Sequence, residues 1–144
     1  MRFKVGLAAM AVVLAAPAWA EGDAAVGEKE FNKCKACHAI IAADGTVIVK
    51  GGKVGPDLYG VAGRPAGSFP DYAYGPSLVA AGVKGLVWDE ASFVSYVQDP
   101  TGFLRTYLDD PSAKGKMAFK LAKKGEDVYA YLVSVAPAVE PAAP

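Results

Sequence analysis

Three residues stand where they could hold one large group between them: Cys34, Cys37 and His38, in the run Cys34-Lys35-Ala36-Cys37-His38. They are the only two cysteines and the only histidine of the chain. Two thiols three positions apart at a helix end can each add to one vinyl group of a porphyrin. The adjacent imidazole is then held beneath the ring with a nitrogen aimed at its iron. C-x-x-C-H is the pattern of covalent haem attachment for that reason. Two other chemistries use similar residues. A redox-active C-x-x-C sits in a βαβ context, which the surrounding sequence lacks. A tetrahedral zinc site takes four ligands, and Cys and His together number three here.

A second axial ligand follows by elimination. Of the three methionines, Met1 and Met10 lie in the first twenty residues, which leaves Met117. A lone Met is often gap filler in a core. Met117, however, is the remaining soft ligand and lies far along the chain from His38, so the chain can wrap to the opposite face. Phe119 follows it and could shield the edge of the ring. Thioether paired with imidazole favours ferrous iron and raises the potential, and two protein ligands fill the coordination sphere.

The elements that must position these residues are short. Asp23 is a plausible N-cap for a helix from Ala24 to Lys33. Asp44-Gly45 between the β-branched runs of residues 40–49 signals a small β-ribbon or an irregular loop. Residues 50–70 are rich in Gly and Pro and read as loop. Residues 77–81 offer one helical turn. Asp89 caps a helix over Glu90–Gln98 that Pro100 stops. A further short helix is predicted over 101–108, loop over 111–120, and a last helix over 126–135. Such a chain buries little by helix packing alone, and long loops in a small domain need something to wrap. A covalent apolar ligand supplies that core.

The ends carry their own signals. Arg2 and Lys4, an apolar run over residues 5–16 and Ala18-Trp19-Ala20 predict an export signal over 1–20, cleaved before Glu21. The rival reading, a membrane anchor, needs about 20 apolar residues to span. The predicted division is 1–20 signal, 21–136 one domain, and 137–144 a flexible Ala/Pro-rich tail. The chain has 15 basic and 15 acidic residues; loss of Arg2 and Lys4 leaves 13 against 15, a net charge of −2. That balance gives no footprint for nucleic acid. Within it, Lys114, Lys116, Lys120, Lys123 and Lys124 occupy a stretch without acids, Lys33 and Lys35 flank the attachment motif, and residues 89–110 hold five acids against Arg105. A charge run is usually a solvated face; lysines beside both iron ligands would steer docking onto acidic partners.

From Asp23 to the last helix the chain resembles a class I cytochrome c, and most of all the cytochromes c2 of purple photosynthetic bacteria. The matching stretches are Gly27 and Phe31, Cys34 to His38, Gly55 to Gly60, Gly63-Arg64, Gly85 to Trp88, Tyr96 with Asp99-Pro100, Lys116 to Phe119, and Glu126 to Val128 leading to Tyr131-Leu132. The chain is longer than short mitochondrial forms between His38 and Pro56 and between Pro100 and Met117. The resemblance implies an all-α class I cytochrome c fold, with a few short helices and long loops around one covalent haem c. It implies that Pro56 offers its carbonyl to His38, that Tyr96 bonds near the Met117 sulfur, and that Arg64, Tyr74 and Trp88 donate to the haem propionates. Gly27, Phe31, Tyr131 and Leu132 would form the crossing of first and last helices. Asp57, where Asn is commoner, and Gly115, where a propionate-bonding Thr occurs in mitochondrial forms, depart from the pattern.

The function implied is a soluble, monomeric periplasmic electron carrier that is not an enzyme. It would accept from the cytochrome bc1 complex and deliver to a photosynthetic reaction centre or a cytochrome oxidase by transient electrostatic docking. A haem peroxidase or a gas sensor needs an open or exchangeable iron position. Here the only His is used, and Met117 blocks the other side.

Overall fold

The computed structural model describes residues 21–136; the predicted signal at 1–20 and tail at 137–144 lie outside the described residues. Five α-helices and one two-stranded ribbon are joined by long loops. Helix α1 spans Ala24–Glu30 and tightens into a 3-10 turn at Phe31–Lys33, which delivers Cys34. Strands β1 (Ile40–Ile41) and β2 (Val47–Val49) pair antiparallel around the Asp44-Gly45 turn, with a register irregularity between Ile40 and Ile41. Helices α2 (Pro76–Val83), α3 (Glu90–Gln98), α4 (Pro100–Leu108) and α5 (Gly125–Val135) follow.

Local chemistry sets these boundaries. Asp23 Oδ1 accepts from Ala25 N at 2.8 Å and starts α1. Asp89 Oδ1 does the same for α3 through Ser92 N, and Asp99 for α4 through Gly102 N. Each satisfies one of the donors a helix start leaves orphaned. Pro76 and Pro100 open α2 and α4 at a position where no N–H is needed. Helix α2 is longer than the single turn read from sequence, and α1 gives way to its 3-10 turn at Phe31.

The first and last helices meet where α1 crosses α5. Gly27 sits at the crossing point: a Cβ there would collide with the Asp127 carbonyl and lie 2.9 Å from Tyr131 Cβ. Phe31 packs its ring 5.7 Å from that of Tyr131, and Phe31 and Leu132 are both fully buried. Burying side chains of this size contributes about 1.5–3 kcal/mol each. The core is a mixture of aliphatic side chains, among them Ile40, Leu86, Leu104 and Val128, and a set of aromatic contacts. Trp88 lies 4.9 Å from Tyr96, Tyr96 5.9 Å from Phe103, and Phe93 5.4 Å from Tyr129, ring centre to ring centre.

Candidate functional site

The helix that carries the attachment motif does not continue through it. After the turn at Phe31–Lys33 the backbone N–H groups of Cys37 and His38 both bond to the Cys34 carbonyl. The motif is thus a tight hydrogen-bonded coil with both cysteines on it. Neither forms a disulfide, and both are half-buried. Burial pushes the Cys34 thiol up to about 11, helped by the charge of Glu30.

His38 is held from the other side of the chain. Its Nδ1 lies 2.7 Å from the Pro56 carbonyl oxygen. A carbonyl only accepts, so the proton sits on Nδ1 and Nε2 keeps its lone pair. Burial pushes the imidazole pKa down, opposed by the Pro56 bond and the nearby Asp57 charge. Gly55 makes room for this arrangement, since a Cβ there would stand only 2.7 Å from His38 Nδ1 and overlap the ring.

The segment from Pro56 is clamped by Arg64. Its guanidinium donates to the Tyr59 carbonyl at 3.1 Å and to the Asp57 carbonyl at 3.2 Å, and lies 4.9 Å above the Phe69 ring. Two of its five N–H donors are therefore used within the loop. Tyr74 is half-buried, which raises its hydroxyl pKa. Trp88 packs against Tyr96 in the core with the two rings tilted at 56°. Burial pushes the Tyr96 hydroxyl up to about 12, and among the described residues it makes no hydrogen bond. Met117 is half-buried and packs against the apolar core. Phe119 is 44 % exposed.

The lysines are less free than their sequence suggests. Lys120 Nζ lies 2.9 Å from Asp99, while Lys33 and Lys124 share Glu30 at 2.6 and 3.6 Å. Lys116 donates to the Ala73 carbonyl and sits 5.2 Å from the centre of the Tyr72 ring. Lys35, Lys114 and Lys123 make no ion pair among the described residues. Glu30, Lys33, Phe119, Lys120, Lys123 and Lys124 surround one open cleft of about 390 Å³. The exposed ring of Phe119 and much of the positive charge thus occupy one surface.

Comparison with known proteins decides the family. No family model matches the chain. Cytochrome c2 of Rhodobacter capsulatus is 64% identical over 125 residues, covering 87% of this chain and 90% of that protein. The chain belongs to the cytochrome c2 family.

Other relatives agree. Cytochrome c-550 of Paracoccus denitrificans is 49% identical over 140 residues, covering 95% of this chain and 90% of its own. The solved structure of cytochrome c2 isolated from Rhodobacter capsulatus superposes with a TM-score of 0.78 at 63% identity, covering 79% of this chain and 98% of the other. The helix-dominated fold is that of a class I cytochrome c. This cytochrome carries one covalently attached haem c and is an electron carrier, not an enzyme. The residues present fit that group: two unpaired thiols on one coil, an imidazole with a free Nε2, and a glycine that clears the space beside it. Among the described residues no helix is long and apolar enough to cross a membrane.

Proposed function

We propose that the cytochrome is a soluble periplasmic shuttle, taking one electron from the cytochrome bc1 complex and passing it to a photosynthetic reaction centre or a cytochrome oxidase. Cys34 and Cys37 hold the haem, with His38 and Met117 as axial ligands. The observation that carries this reading is the bond from His38 Nδ1–H to Pro56, which fixes the ring and leaves Nε2 for iron. Iron with two protein ligands suits electron transfer rather than O₂ binding.

The remaining chain serves that iron. Arg64, Tyr74 and Trp88 offer donors to the propionates, whose charge is costly to bury unpaired. Tyr96 brings an uncommitted hydroxyl towards the Met117 sulfur, and Phe119 shields the haem edge. Docking is monomeric, brief and electrostatic, through Lys33, Lys35, Lys114, Lys116, Lys120, Lys123 and Lys124. Small, transient interfaces are typical of redox encounters. Periplasmic delivery relies on the signal predicted over residues 1–20.

The test uses the holoprotein. Mass spectrometry should find one haem that survives acid-organic extraction. Membranes containing bc1 complex should reduce the ferric protein, and illuminated reaction centres or oxidase should reoxidise it. A chain that emerges unmodified from a host with haem-maturation machinery, or a haem protein that neither system turns over, would refute the reading.

A further inference from the structure

Among the described residues one buried side-chain oxygen has no hydrogen-bond partner: Oδ2 of Asp57. The other oxygen, Oδ1, accepts the Tyr59 N–H at 2.8 Å and closes a local turn. A carboxylate oxygen removed from water without a donor costs stability. The turn itself does not require this, because an Asn or Ser side chain can accept the same N–H. The feature that distinguishes Asp at this place is its charge.

That charge lies in a specific setting. Asp57 directly follows Pro56, whose carbonyl holds the His38 ring, and its own carbonyl accepts from Arg64. The residue is thus tied on one side to the contact that holds the imidazole and on the other to the Arg64 guanidinium. Ferric haem carries one more positive charge than ferrous haem. A fixed negative charge near the iron ligand therefore stabilises the oxidised state, and the effect is stronger where water is excluded.

We propose that Asp57 is a potential-setting residue, a carboxylate fixed beside the His38–Pro56 contact that holds the haem's reduction potential below the value this fold would have with a neutral side chain there. The inference rests on the assignment of His38 as iron ligand. One electron arrives from the donor protein and reduces Fe(III) to Fe(II); no bond forms or breaks at Asp57. Arg64 offsets part of the field, and it keeps the segment that carries the charge in place.

The experiment is potentiometric titration of the holoprotein beside Asp57→Asn and Asp57→Ser, both of which keep an acceptor for Tyr59 N–H. Covalent haem content and thermal stability are measured on the same samples. Both variants should load haem and titrate at higher potential, so that at the wild-type midpoint the ratio of reduced to oxidised protein rises several-fold. Stability should hold or improve, because the orphaned oxygen loses its charge. Should one variant fail to assemble, the other carries the measurement. An unchanged or lower potential in a loaded variant overturns the proposal. Failure of both variants to load haem also overturns it, since Asp57 would then serve assembly. A wild-type chain without covalent haem fails earlier and separately, at the site assignment itself.

Discussion

The imidazole Nδ1 of His38 and the carbonyl oxygen of Pro56 lie 2.7 Å apart, across 18 residues of chain. One contact therefore fixes the tautomer, the tilt of the ring and the distance between the attachment coil and the Gly- and Pro-rich loop. It holds only while Gly55 stays small.

Gly55→Ala should accordingly disturb the iron ligand rather than the attachment. The added Cβ overlaps the ring, and overpacking of this kind costs typically about 1–3 kcal/mol. Haem should remain covalently bound while the denaturant midpoint falls and the axial-ligand bands of the absorption spectrum shift. Wild-type spectrum and stability in this variant would show that His38 does not need the space.

Replacing Met117 with Ala should leave haem attached but remove the weak far-red sulfur–iron band of the ferric protein. The potential should fall, because the soft thioether favours ferrous iron. Added cyanide or CO should bind. Spectra and potential identical to wild type would assign the second axial position to another group.

Charge reversal on the lysine face should sort by existing partners. Lys123→Glu or Lys35→Glu removes a charge unpaired among the described residues, whereas Lys120→Glu removes one already shared with Asp99. At low salt the first two should slow electron transfer to an acidic partner more than the third. The gap should close as ionic strength rises. Reversals at Asp109 and Asp110 serve as controls and should do less. Stopped-flow rates across a salt series decide it; equal slowing by the controls would mean that lysine position does not direct docking.

Alkaline pH should weaken the fold through Tyr96. Burial holds its hydroxyl near pKa 12 against 10.0 for an unperturbed tyrosine. Below pH 10 folded and unfolded chains both keep the proton, and the contribution is fully present. Between pH 10 and about 12 only the unfolded chain loses it, so stability falls as pH rises, by about 3 kcal/mol at full effect. Thermal unfolding across this window should show the slope, and Tyr96→Phe should flatten it.

Helix starts were legible because their cause is local. Asp23 and Asp89 each cap within three residues of themselves, and Pro100 stops α3; that Asp99 also caps α4 and that Pro100 opens it was not read from the sequence. The reading of α2 stopped at Ala81, two residues short, and Gly82 lies inside the helix. The role of Gly82 is close approach, since a Cβ there would collide with the Ala66 carbonyl. The attachment motif was legible for the same local reason, being five consecutive residues. The partners of the lysines were not. Lys120 meets Asp99 and Lys124 meets Glu30 through tertiary structure, and no spacing rule links residues so far apart. The missing partner of Asp57 Oδ2 was equally invisible, because an unmet bond leaves no pattern in a sequence.

The Asp23 N–H donates to Asp127 Oδ1 across 104 positions, beside the seat of Gly27 on α5. Closing a loop of that length costs about 4 kcal/mol in chain entropy, and contacts this distant in sequence slow folding. The ribosome completes the attachment coil well before it has made α5. For that interval the thiols belong to a chain whose first helix has no α5 to cross. The clasp between α1 and α5 thus makes the fold depend on nearly the whole described chain: without Asp127 the first helix lacks the partner of its own capping residue.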